Sequence, residues 1–112
     1  MRACRKHTMA KKNDASPARA AAAGVLAKDH DPETTKALVN AAGDKNWIVR
    51  AAALEAMAKR GDPSVLDTVE LYLLDEEGEV KYTAAAATVR LIAIRESEAK
   101  KKSKPDQPVH SK

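Results

Sequence analysis

A chain of 112 residues with net charge +4 and 44% apolar residues is one domain's worth, and its apolar fraction is dominated by alanine. With no Phe, one Trp and two Tyr, it lacks the aromatic and β-branched content of a sandwich or barrel and suits closely approaching helices. A single cysteine, Cys4, excludes an internal disulfide framework and a Cys-rich zinc site.

Residues 1–12 carry five Lys/Arg and no acid. No apolar segment follows them, so the composition predicts a basic, unstructured N-terminus rather than a secretory signal. Ser16 then reads as an N-cap, with Pro17 at the first helical position, where its missing N–H costs nothing. That helix is expected to run to about Lys28. Asp31 caps a second helix, from Pro32 to about Ala42, stopped by Gly43. A third is predicted from Trp47 to Lys59, ending near Gly61, and Asp62-Pro63 starts a fourth that reaches Leu74. Its inner face is read as Leu66, Val69 and Leu73, matching Thr35, Leu38 and Ala42. A fifth starts near Glu79 and runs to about Ala99, because Ala93-Ile94 stands where another Asp-Pro would fall. Lys100 to Lys104 and the prolines Pro105 and Pro108 then predict a basic, unstructured tail over 100–112.

Taken together the body, residues 13–94, has nine basic and thirteen acidic residues, whereas 95–112 has six against three. The sequence pI of 9.3 therefore belongs to the two ends, and it argues against nucleic acid as the main partner. No window approaches the run of about 18 apolar residues that a membrane span needs. The cytoplasm is the default location.

An offset of 31 residues aligns the sequence with itself. Asn13, Asp44 and Asp75 fall in register, as do Arg19, Arg50 and Lys81, and Asp31-Pro32 recurs as Asp62-Pro63. The apolar set Ala18, Ala21, Ala22, Val25, Leu26 becomes Val49, Ala52, Ala53, Ala56, Met57 and then Val80, Thr83, Ala84, Ala87, Thr88. Its spacing of i, i+3, i+4, i+7, i+8 is one face of an α-helix. The expected fold is all-α: a superhelix of antiparallel hairpins with about five helices over residues 13–99, in units 13–43, 44–74 and 75–99. In this reading Val80, Ala84, Ala87, Leu91 and Ile94 form a stripe with no following helix to cover it. That predicts self-association through the C-terminal helix, capping by that extended helix folding against its own array, or the end of a longer array.

The stretches Asp44 through Leu54 and Asp75 through Leu91 resemble the HEAT-like repeats of bacterial proteins, the kind found in phycobilisome-lyase-type arrays. The resemblance implies an armadillo-like scaffold that binds protein partners, although such arrays also host lyase subunits, hydroxylases and DNA-lesion enzymes. It further implies that the Asp and the basic residue six positions on form a hydrogen-bonded ladder between units: Asp44 with Arg50, and Asp75 with Lys81, alongside Arg19. Asn13 and Lys81 depart from the pattern, since Lys cannot offer the bidentate fork of Arg.

Little chemistry is visible beside this. Of the histidines, His7 and His110 fall in the ends and His30 in a turn, none with a partner at helical spacing, so no metal or cofactor is expected. The serines Ser16, Ser64, Ser97, Ser103 and Ser111 have no His placed to activate them. Asp75, Glu76, Glu77 and Glu79 read as solvated acids at a helix start, or as a patch for a basic partner. Trp47 either covers the seam between units or is a binding anchor. The sequence therefore predicts a non-enzymatic scaffold for protein–protein interaction, with an accessory subunit of a phycobilin-lyase-like enzyme as the alternative.

Overall fold

The computed structural model describes residues 15–103, and among them every regular element is helical. Helix α1 spans Ser16–Val25 and tightens into a 3-10 turn over Leu26–Lys28; α2 spans Pro32–Ala42 and α3 Trp47–Arg60. The fourth, α4, is broken: a 3-10 turn Pro63–Val65, an α-helical stretch Leu66–Leu71, and another 3-10 turn Tyr72–Leu74. Helix α5 spans Gly78–Ser103. It continues four residues past the expected end, which places Lys100, Lys101 and Lys102 in its last turn, where cations complement the helix dipole. The expectations on residues 1–12 and 104–112 lie outside the described residues. Among those described, no helix is long and apolar enough to cross a membrane.

Short polar side chains set the helix starts. Asp31 accepts from the backbone N–H of Glu33 at 2.9 Å, Asp62 from Ser64 at 3.0 Å, and Asn46 from Ile48 at 2.8 Å. In each case a donor without an intrahelical partner is satisfied. Ser16 is not a cap. The cap position falls one residue earlier, at Ala15, without a side-chain bond, and the buried Ser16 hydroxyl accepts from Arg19 Nη2 at 3.2 Å. A guanidinium is the stronger donor, so it holds the hydroxyl.

Gly61 ends α3 in the left-handed region at φ 70°, its N–H shared between Met57 and Ala58 carbonyls. A Cβ there would lie 3.1 Å from Ile94 Cδ1, whereas one on Gly24, inside α1, would meet nothing within 4 Å. The two glycines should therefore answer in opposite directions. Gly61→Ala lowers the unfolding free energy by about 1–2 kcal/mol through left-handed strain, and Gly24→Ala raises it by about 0.5–1 kcal/mol through helix propensity. Urea titration of both variants reads the signs directly; two shifts of one sign would refute the assignment.

The first helices stack in sequence, α1 on α3 and α3 on α5, while α2 packs on α3 and α4 packs on α5. Each second helix thus lies mainly against the first helix that follows it, not against its predecessor. This overturns the expected open stripe on the last helix. Val80, Ala84, Ala87 and Leu91 are fully buried and Ile94 is half-buried, because α4 folds forward over them. The buried face of α2 also differs by one residue: Thr34, not Thr35, joins Leu38 and Ala42. In α4, Val65 joins Leu66 and Val69, leaving Leu73 only half-buried. A 3-10 turn has about 3.0 residues per turn, so tight winding at Pro63–Val65 swings Val65 inward. Thr34 tolerates burial because its hydroxyl donates to Asp29 at 3.0 Å.

The core is built around α3, whose Val49, Ala53, Leu54, Ala56 and Met57 are all buried. Alanines on α3 and α5 let helix axes approach closely, and Leu38, Leu54, Met57 and Leu91 fill the space between. The molecule is an all-α, solenoid-like stack.

Candidate functional site

Among the described residues, most of the half-buried charged groups gather at the turns between units, Arg60 and Asp62 excepted. Asp44, between α2 and α3, faces Arg19 on α1: Arg19 Nη2 donates to Asp44 Oδ2 at 2.9 Å, and Nε lies 3.2 and 3.3 Å from the two oxygens. One unit on, Arg50 Nε and Nη2 donate to the two oxygens of Asp75 at 2.9 and 3.1 Å. Arg50 Nη1 turns back to the carbonyls of Asp44 and Lys45 at 3.0 and 3.2 Å. Each arginine thus reaches forward 25 residues to the aspartate of the next turn. This corrects the expected pairing. Asp44 and Arg50 are joined only through the Asp44 backbone carbonyl, because the Asp44 carboxylate is already held by Arg19.

The second rung is the drier one. The Arg50 and Asp75 side chains are 14% and 9% exposed, against 38% and 13% for Arg19 and Asp44. Lys81, the third base in the register, is exposed and makes no side-chain hydrogen bond among the described residues. Its charge still helps keep Asp75 ionised.

Among the described residues, three carboxyls lie below the usual range. Hydrogen bonding from Arg19 depresses Asp44. Burial alone would raise Asp75, but the Arg50 guanidinium and the Glu77 N–H at 2.8 Å outweigh it. Asp29 is lowered by the Asp31 N–H and the Thr34 hydroxyl. A depressed folded-state pKa means that the unfolded chain takes up protons first as pH falls. The stability these groups contribute is present above the unfolded value near 3.8 and is lost as pH drops through the folded values. Unfolding free energy should hold level from about pH 7 to 5 and decline below about pH 4. The acid decline should shrink in Arg50→Ala, which removes Asp75's strongest partner; chemical denaturation across a pH series measures both.

The remaining expected site residues lie on the same edge. Trp47 opens α3 at 38% exposure, with Ile48 beside it at 47%. At the equivalent turn one unit on, Glu76 and Glu79 are exposed and Glu77 is half-buried. Asp75 does not belong with these solvated acids, since Arg50 and the Glu77 N–H hold it. Two arginines escaped sequence reasoning. Arg60 donates to the Asp29 carbonyl at 2.8 Å, the Thr35 hydroxyl at 2.7 Å and the Asp31 carbonyl at 3.2 Å, lashing the end of α3 to the α1–α2 turn. Arg90 donates to the Ala58 carbonyl at 2.6 Å. Neither repeats as an arginine at the 31-residue offset, so the period gave no signal for them.

Among the described residues no three His, Cys, Asp or Glu side chains cluster to hold a metal. The groove between α1 and α3 is lined by Ala20, Gly24, Ala27, Ala52 and Ala56, with Glu55 and Lys59 at its rim, and those two charges face each other at 3.5 Å. A family model described as HEAT repeats matches residues 8–95. No curated protein matches the chain.

Proposed function

Because the chain belongs to the HEAT repeat family, whose members generally serve as protein-interaction scaffolds, we propose that it is a non-enzymatic binding scaffold. Its contact surface in this reading is the edge formed by successive inter-unit turns. The observation that carries it is the pairing of a partly exposed aromatic and aliphatic step, Trp47-Ile48, with exposed Glu76 and Glu79 one unit on. Both turns are pinned by arginine–aspartate pairs. A rigid edge with an apolar step beside acids suits a partner segment with an apolar side chain flanked by bases. A lyase-accessory role would call for polar groups meeting in one groove, and the α1–α3 groove offers alanines with a self-paired Glu55–Lys59 rim.

The test compares the intact chain with Trp47→Ala and with Glu76→Lys/Glu79→Lys in affinity capture followed by mass spectrometry. Circular dichroism checks that each variant keeps its helix content. Loss of the same captured protein in both variants, with the fold intact, is the expected result. A partner set unchanged by either would sink the assignment of this edge.

A further inference from the structure

The 31-residue register lets the two ends of the stack be compared with its middle. On the side of each first helix that looks back toward the preceding unit, α3 carries Val49, Ala53 and Ala56, and α5 carries Val80, Ala84 and Ala87, all at 1% exposure or less. The same positions on α1 are Ala18, Ala22 and Val25. All three are exposed, Val25 at 72%. On the side that looks forward, the relation inverts. Ala23 on α1 and Leu54 on α3 are buried, and Ala20, Ala27, Ala51 and Ala58 are half-buried. Their counterparts on α5 are Tyr82 at 76%, Ala85, also exposed, and Val89 at 69%. Lys81, in the place of the forward-reaching Arg19 and Arg50, has no carboxylate ahead of it among the described residues. The backward face of α1 and the forward face of α5 are therefore the two unmatched halves of an interface that the chain already forms twice.

We propose that a second copy of this chain is the occupant: the forward face of one α5, Tyr82, Ala85 and Val89, stacks on the backward face of another copy's α1, Ala18, Ala22 and Val25. The interface is head-to-tail and continues the internal repeat. Bulk is complementary at one end of the contact, since Tyr82 stands where the inner units carry Ala20 and Ala51, and Ala18 stands where they carry Val49 and Val80. No charge lies among the six residues, so little polar desolvation opposes contact. The chain's own N-terminal residues match less well. The 31-residue offset aligns Ala3, His7 and Lys11 with Thr34, Leu38 and Ala42, so in that register a lysine and a histidine would be set against alanines. A heterologous contact of this kind leaves one free face at each end and so permits growth past the dimer. The proposal concerns the ends of the stack and does not rest on the binding edge described above.

Sedimentation of the full 112-residue chain over about a hundredfold concentration range tests it, since association obeys mass action. The wild type should gain mass with concentration beyond that of a dimer. Val25→Glu, which spoils only the α1 face, and Val89→Glu, which spoils only the α5 face, should each remain monomeric; both sites are exposed, so folding should be unaffected. Mixed in equal amounts, the two variants should form a one-to-one dimer and nothing larger, because one intact head meets one intact tail. A wild-type chain that stays monomeric throughout overturns the proposal, leaving residues 1–14 or another protein as the cover of α1. Association that stops at a dimer, or variants that fail to rescue each other on mixing, overturns it in favour of a face-to-face contact.

Discussion

Replacing Leu54 by alanine should lower the unfolding free energy by about 3 kcal/mol, a large share of the roughly 5–15 kcal/mol that domains of this size possess. Leu54 is fully buried, in the helix on which α1, α2 and α5 all pack. The buried cluster around it holds six alanines against three valines, three leucines and one methionine, and alanines cannot extend into the space that three lost carbons leave. A stack held by backbone-close helices collapses poorly around a void, so the cavity penalty adds to the lost transfer energy. Leu71→Ala removes the same atoms from a side chain that is 69% exposed, and it should shift stability by no more than about 0.5 kcal/mol. Urea midpoints of the two variants decide the matter. Similar losses from both would mean that α3 is not the centre of the core.

Arg50→Ala should cost about 2–3 kcal/mol, more than twice the roughly 1 kcal/mol expected for Arg19→Ala. The difference follows from what each arginine leaves behind. Without Arg50, the nearly buried Asp75 carboxylate loses both of its guanidinium bonds, and the carbonyls of Asp44 and Lys45 lose a donor. Arg19 is more exposed, so water replaces it more readily. Arg50→Lys should recover only part of the loss, because one ammonium cannot span two carboxylate oxygens and two carbonyls at once. Arg50→Ala/Asp75→Ala should be less destabilised than Arg50→Ala alone, since the stranded charge is gone. If the Arg50 and Arg19 variants unfold at the same denaturant concentration, the idea that one arginine ties two turns together is wrong.

What could be read from the residues is what the period repeats. Asp31-Pro32 and Asp62-Pro63 mark helix starts because an aspartate before a proline is both a cap and a break, and the apolar stripes on α3 and α5 follow helical spacing. Direction was not legible. A register at 31 residues says which residues are equivalent, but it is silent on whether a second helix lies against the helix before it or after it. That ambiguity is why the stripe of Val80, Ala84 and Ala87 read as open, when the open counterpart of that stripe is on α1 and the open side of α5 is the opposite one. Thr34 and Thr35 could not be told apart, since they stand four and three residues before Leu38, and both spacings fall on one helical face. The register pointed to Asp44, Arg50 and Asp75, yet their partners depend on side-chain reach across units, which spacing does not encode. Arg60 was invisible because its work is done once.

Helix α5 extends well beyond the point where its neighbours end. At 1.5 Å per residue, its 26 residues reach about 39 Å, and the last buried side chain is Leu91. Ile92 and Ile94 still pack on the core from one side; beyond them the helix is helped by the fact that its costly first turn has already been formed by the segment under α4, and each further residue adds to an existing ladder. Amide protons along α5 should accordingly exchange in a gradient, slowest around Ala84 to Leu91 and progressively faster toward Ser103, as the helix unwinds from its C-terminal side. One helix thus carries two kinds of order: a half locked by its surroundings and a more exposed half to which propagation contributes a larger share.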